Sequence, residues 1–99
     1  MVRHIVAWNY KEGFSEAENR ENAQKIKSEL ENLPRLMGGI AELTVQIQPL
    51  ASSGRAITLN SLFLNEDALQ AYQVHPEHKR VGAFVSTVTQ DRICLDYYE

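Results

Sequence analysis

From Arg3 to Tyr10 the chain alternates, with His4, Val6, Trp8 and Tyr10 on one side and Ile5 and Ala7 on the other, which is the two-residue period of a β-strand. Gly13 interrupts the pattern. Ser15, followed three residues later by Glu18, then has the reciprocal form of a helix N-terminus. Ala23, Ile26, Leu30 and Leu33 recur at helical spacing until Pro34, whose ring disfavours helix in the residue before it. After Gly38-Gly39, Leu43, Val45 and Ile47 alternate with Glu42, Thr44, Gln46 and Gln48, predicting a second strand. A Ser/Gly loop from Pro49 to Gly54 leads to a third, in which Ile57, Leu59, Ser61 and Phe63 alternate with Thr58, Asn60, Leu62 and Leu64. Asn65 is a side-chain cap for a short helix carrying Ala68, Leu69 and Tyr72. Pro76 restarts a helix after a bend, with Val81, Phe84, Val85 and Val88 as its apolar face, and Arg92 to Tyr97 reads as the last strand.

The order β-α-β-β-α-β predicts one α+β domain over residues 1–99, a four-stranded antiparallel sheet with helices on one face. Its first and last strands then lie side by side. A register in which paired residue numbers sum to about one hundred sets His4 beside Asp96 and Arg92 beside Trp8. A carboxylate there orients the imidazole, and the guanidinium over the indole makes a cation–π contact. Cys94 falls on the same face and reads as a small buried hydrophobe. If the helices cover Val6, Leu59 and Phe63, alternation turns Ile5, Ala7, Leu62, Ile93, Leu95 and Tyr97 the other way. Such an apolar face predicts a homodimer, because a second copy is needed to cover it.

The chain has 99 residues of which 43% are hydrophobic, enough for a single small core that association would reinforce. A net charge of -3 with scattered Lys and Arg provides no stripe for phosphates, so nucleic acid is not an expected partner. No apolar run approaches membrane-spanning length or resembles a signal-peptide core, and the single cysteine excludes an intramolecular disulfide. The expected location is cytoplasmic. Gly38-Gly39 lacks a phosphate-loop or dinucleotide pattern, and no serine sits in a nucleophile elbow.

Candidate chemistry concentrates between Ala71 and Phe84, where His75 and His78 flank a Pro-Glu pair. Three readings stand side by side. The histidines cap a helix junction; or His78, in the first turn of the restarted helix, is held neutral by the macrodipole and acts as a base; or the pair ligates metal. Metal is the least supported, since Pro76 disturbs the spacing and a third ligand would have to come from His4, Glu77 or Asp96. The expectation is no metal and no cofactor. Tyr72 is either a core tyrosine or a hydrogen-bond donor to substrate.

The opening VRHIV strand, Leu33-Pro34, Ser61-Leu62-Phe63, the run ALQAYQVHPEH from Ala68 to His78, and a closing Asp91-Arg92 with Asp96-Tyr97 resemble the stress-responsive A/B barrel family over nearly the whole chain. The resemblance implies a ferredoxin-like protomer whose sheet faces that of a second copy in a dimeric α+β barrel. It also implies a cofactor-free route, because a plant polyketide cyclase of this fold uses a Tyr, a His and a first-strand His. Tyr72, His78 and His4 stand at those positions. The expected pocket is ringed by His4, Val6, Trp8, Leu59, Tyr72, His78 and Asp96, with His75, Phe84 and Arg92 beside it. One reading is acid/base chemistry on a small aromatic or polyketide-like ligand, cyclase- or isomerase-like. A second is a non-catalytic stress-response or scaffold protein, and a third is a cofactor-independent monooxygenase. A cavity of roughly 300 Å³ or more favours a ligand, whereas a space filled by Trp8 and Phe84 favours the scaffold.

Overall fold

The computed structural model describes residues 1–99. Strand β1 (Val2–Tyr10) leads to helix α1 (Glu16–Asn32), a short 3₁₀ turn (Leu33–Arg35), strands β2 (Ile40–Gln46) and β3 (Ile57–Phe63), helices α2 (Glu66–Val74) and α3 (Pro76–Val88), and strand β4 (Thr89–Tyr98). The sheet order is β2-β3-β1-β4 with every neighbour antiparallel. Ser15 and Glu18 form the reciprocal cap of α1, and the Asn65 side chain accepts from the Ala68 amide at the start of α2. No helix is long and apolar enough to cross a membrane.

Strand β1 is central, so its alternation sets the parity of its neighbours. Val6 pairs with Leu59 and Cys94, while Ile5 pairs with Asn60 and Leu95. Val6, Leu59 and Phe63 therefore join Ile26, Leu33, Val45 and Val81 in the core beneath the helices. Each fully buried side chain of this size contributes about 1.5–3 kcal/mol. The opposite face carries Ile5, Ala7, Leu62, Ile93, Leu95 and Tyr97. Ala7 and Leu62 are already covered by their neighbours within one protomer, whereas Ile93, Leu95 and Tyr97 are exposed.

The register between β1 and β4 keeps a sum of one hundred from Val2↔Tyr98 to Ala7↔Ile93, including His4↔Asp96, and then slips to Asn9↔Gln90. Asp91 and Arg92 together oppose Trp8, and Asp91 has the left-handed φ of 56° common in such bulges. This corrects two expectations. The strand begins at Thr89 rather than Arg92, because the bulge interrupts its alternation, and Arg92 does not stack on Trp8. The cation that does cover a ring is Lys25, whose Nζ lies 4.0 Å from the Phe84 centroid. Cys94 is exposed rather than buried, since β4 is an edge strand that the helices do not reach.

The other edge is closed by side chains. Lys27 Nζ donates to the Val45 carbonyl at 2.6 Å, the Val45 amide donates to Glu31 Oε2 at 2.9 Å, and the two side chains pair at 2.8 Å. Covering these groups with an ion pair keeps β2 from adding another strand there.

Gly39 shows a local requirement. Its φ is 84°, and a Cβ there would meet the Ala68 Cβ at 2.8 Å, where β2 passes under α2. Gly39→Ala is therefore expected to lose about 1–3 kcal/mol of stability, read by chemical denaturation. Unchanged stability would mean that the backbone relaxes there without cost.

Candidate functional site

His4 is placed by β1 on the helix-facing side of the sheet and is 2% exposed. Its Nδ1 lies 2.5 Å from Asp96 Oδ1 across the strand pair. A carboxylate accepts only, so Nδ1 carries the proton and Nε2 is left as the nitrogen available to the interior. The His4 carbonyl is held by the Ser61 hydroxyl at 2.8 Å. Backbone and ring are both fixed.

Tyr72 and His78 come from the two sides of the helix break. His75 has ψ of 135°, the extended conformation that a following proline favours, and its Nδ1 accepts from the Glu77 amide at 3.1 Å. The chain turns there, and the rings of Tyr72 and His78 approach to 4.4 Å between centroids. Phe63 packs on Tyr72 at 4.9 Å, and the His4 ring lies 6.3 Å from it.

Two polar atoms in this cluster have no hydrogen-bond partner although they are sealed from solvent: the Tyr72 hydroxyl and His78 Nδ1. Buried polar groups are normally paired, and leaving one unpaired costs about 1–3 kcal/mol. Burial pushes the Tyr72 phenol well above its ordinary range, so it stays protonated as a donor. Burial also pulls the His78 imidazole down; a hydrogen bond with the Gln73 backbone opposes this, while the nearby basic groups of His4, Arg92 and His75 reinforce it. His78 is thus held neutral near pH 7.

These residues border a cavity of about 320 Å³ between helices and sheet. His4, Val6, Trp8, Leu59, Tyr72 and His78 line it as expected, and Arg92 joins them from the bulge. Three expected residues do not. His75 is occupied as the helix cap. Phe84 faces α1, where Lys25 sits on its ring, rather than the cavity. Asp96 lies behind His4 and reaches the cavity only through that imidazole, bordering a separate concavity beside Glu66 and Gln73.

The sequence reading missed Gly82, Val85, Ser86 and Thr89 as cavity wall. Their spacing from His78 was the available signal: intervals of four, seven and eight follow one face of α3, and Thr89 is the C-cap that ends it. Two of them are small, and a Cβ at Gly82 would touch nothing within 4 Å. Room in the cavity comes from that face.

His4 Nδ1, Cys94 Sγ and an Asp96 oxygen lie within 4.8 Å of one another and are the one group with metal-ligand chemistry. Their arrangement is that of a hydrogen-bonded set. The 2.5 Å separation of Nδ1 and Oδ1 is shorter than the roughly 3.3 Å that two ligands keep around tetrahedral zinc. Partial burial and the Asp96 carboxylate push the Cys94 thiol up, opposing the thiolate that a metal or a nucleophilic role would need.

The stress responsive A/B barrel domain model matches residues 2–99. The chain belongs to this family. Among proteins of curated function none matches it. A dimeric protein of unknown function and ferredoxin-like fold from Bacteroides fragilis is 28% identical over 99% of this chain and 95% of its own, with a TM-score of 0.92. A hydroxynitrile lyase from Passiflora edulis is 18% identical over 97% of this chain and 90% of its own, at 0.79. A protein from Deinococcus radiodurans, a proposed antibiotic biosynthesis monooxygenase, is 14% identical over 100% of this chain and 92% of its own, at 0.80. The fold is thus ferredoxin-like, in a family whose structural neighbours differ in activity.

The depressed His78 pKa has a thermodynamic consequence. The unfolded imidazole titrates near 6.5 and the folded one lower, so the folded state binds fewer protons between those values. The resulting stability is complete above the unfolded pKa and is lost as pH falls through that window. Parent protein is therefore expected to lose more melting temperature than His78→Gln on going from about pH 7.5 to about pH 5.5. Parallel slopes would show that His78 is not depressed.

Proposed function

We propose that this A/B barrel protein binds a small aromatic or polyketide-like molecule between helices and sheet and moves protons on it without a cofactor. The observation that supports this reading is the coincidence of two unpaired buried polar atoms, Tyr72 Oη and His78 Nδ1, in residues that border one cavity. A ligand carbonyl can accept from the Tyr72 hydroxyl, and the acidic C–H beside that carbonyl can meet the lone pair of His78. The neutral His78 takes a proton from the carbon beside that carbonyl, and the Tyr72 hydroxyl donates to the oxygen as negative charge develops. Ring closure or isomerisation follows, with the proton returned from His78. The imidazole of His4, oriented by Asp96, is the second proton carrier in reach of the cavity.

A purely structural role for the helix junction accounts for His75 and for the contact of His78 with the Gln73 backbone, but leaves His78 Nδ1 without a partner. The similar hydroxynitrile lyase supports an enzymatic use of this scaffold. Tyr72→Phe and His78→Ala are each expected to lower turnover by about 10²–10⁴-fold while leaving a folded protein. Gly82→Leu, which fills the open side of α3, is expected to abolish ligand binding with Tyr72 and His78 intact. Variants that bind as the parent does but melt earlier would instead place these residues in the core.

We also propose that the working unit is a homodimer joined through the sheet face of Ile5, Ala7, Leu62, Ile93, Leu95 and Tyr97. The exposed apolar side chains lie on β4 beside Ile5, while the β2 half of that face is polar, with Glu42, Thr44 and Gln46. The similar protein from Bacteroides fragilis is dimeric, which supports a homodimer. Light scattering at micromolar concentration is expected to give twice the chain mass for the parent and a monomeric or unfolded species for Leu95→Lys. A monomer mass for the parent would contradict the dimer.

A further inference from the structure

Arg92 is the only Lys or Arg among the residues lining the cavity, and it has no carboxylate partner. Its position is not that of an ordinary strand residue. The bulge puts Asp91 and Arg92 together against Trp8, with Asp91 in the left-handed region, a device that re-aims a side chain at the end of regular pairing. The one carboxylate in the lining, Asp91, forms no salt bridge with it; Asp91 Oδ2 accepts instead from Asn9 Nδ2 at 3.2 Å. The guanidinium charge is felt inside, where it helps to keep His78 neutral.

A cavity with apolar walls in Val6, Trp8 and Leu59, two uncharged polar groups in Tyr72 and His78, and at its exposed edge one guanidinium that lacks a carboxylate partner is matched to a ligand with an apolar body and a single negative charge. We propose that Arg92 anchors a carboxylate, making the natural ligand an aromatic or polyketide-like monocarboxylate. This deepens, and rests on, the reading of the cavity as a ligand site. The planar fork of Arg pairs with both oxygens of a carboxylate, whereas a phosphate monoester would bring nearly two charges to one cation beside Asp91. The sheet wall thus holds the charged end while Tyr72 and His78 act from the helices.

The test compares 2-naphthoate with its neutral isostere 2-naphthamide, followed through the fluorescence of Trp8, the single tryptophan. The parent is expected to prefer the acid by about tenfold or more, the scale of a charge-assisted pair, with the preference shrinking as salt is added. Arg92→Leu should bind both probes equally and as weakly as the parent binds the amide, while Arg92→Lys should recover part of the preference. Unchanged melting temperatures for both variants would confirm that the sheet edge is undisturbed. Equal affinity of the parent for the two probes, or an acid preference that survives in Arg92→Leu, would overturn the anchor and leave the cavity reading intact. Failure of the parent to bind either probe would overturn the cavity reading, and the anchor with it.

Discussion

The break between α2 and α3 is the constraint on which the site depends. On an unbroken helix, residues 72 and 78 would lie about 9 Å apart along the axis and about a third of a turn apart around it. Pro76 prevents that. It holds His75 extended, the His75 side chain caps the new helix, and the chain re-enters at an angle that brings Tyr72 and His78 to 4.4 Å between rings. One histidine is consumed in making the turn, and the other is left with an unpaired Nδ1. The same short run therefore contains one imidazole that caps a helix and one whose buried Nδ1 has no partner, three residues apart.

The sheet supplies the opposite wall by a different device. With β1 in the centre, the parity of one strand places His4, Val6 and Trp8 against the helices and leaves Ile5 and Ala7 on the far side. Asp96 is exposed on the edge strand and is tied to the interior through His4 Nδ1. Where the helices stop covering β4, the bulge at Asp91-Arg92 opens the layer and brings a cation to the cavity. The burial that keeps Tyr72 protonated also keeps His78 neutral, so a donor and an acceptor are maintained side by side in one environment.

Much of this was legible because strong periodicity carries it. Alternation in β1 and β3, the Ser15–Glu18 cap and Pro76 define the elements, and the His4–Asp96 register follows from regular antiparallel pairing. The failures have local causes. A bulge is a one-residue irregularity that no alternation announces, so the start of β4 and the place of Arg92 were misread. Phe84 was assigned to the cavity because it is apolar, yet helix geometry turns it toward α1, and the wall is built by Gly82 and Ser86, whose small size makes them weak signals. The exposure of Cys94 reflects how far the helices extend over the edge strand, which depends on packing angles rather than on pattern.

The central claim, that the unpaired Nδ1 of His78 serves a ligand while His75 is committed to the fold, is tested most directly by the imidazole nitrogen resonances of the two residues during titration with 2-naphthoate. His75 is expected to stay fixed, because its Nδ1 is bound to the Glu77 amide throughout, while the His78 Nδ1 resonance moves in step with the change in Trp8 fluorescence. Binding reported by Trp8 with both imidazoles unmoved, or with His75 shifting as far as His78, would contradict it.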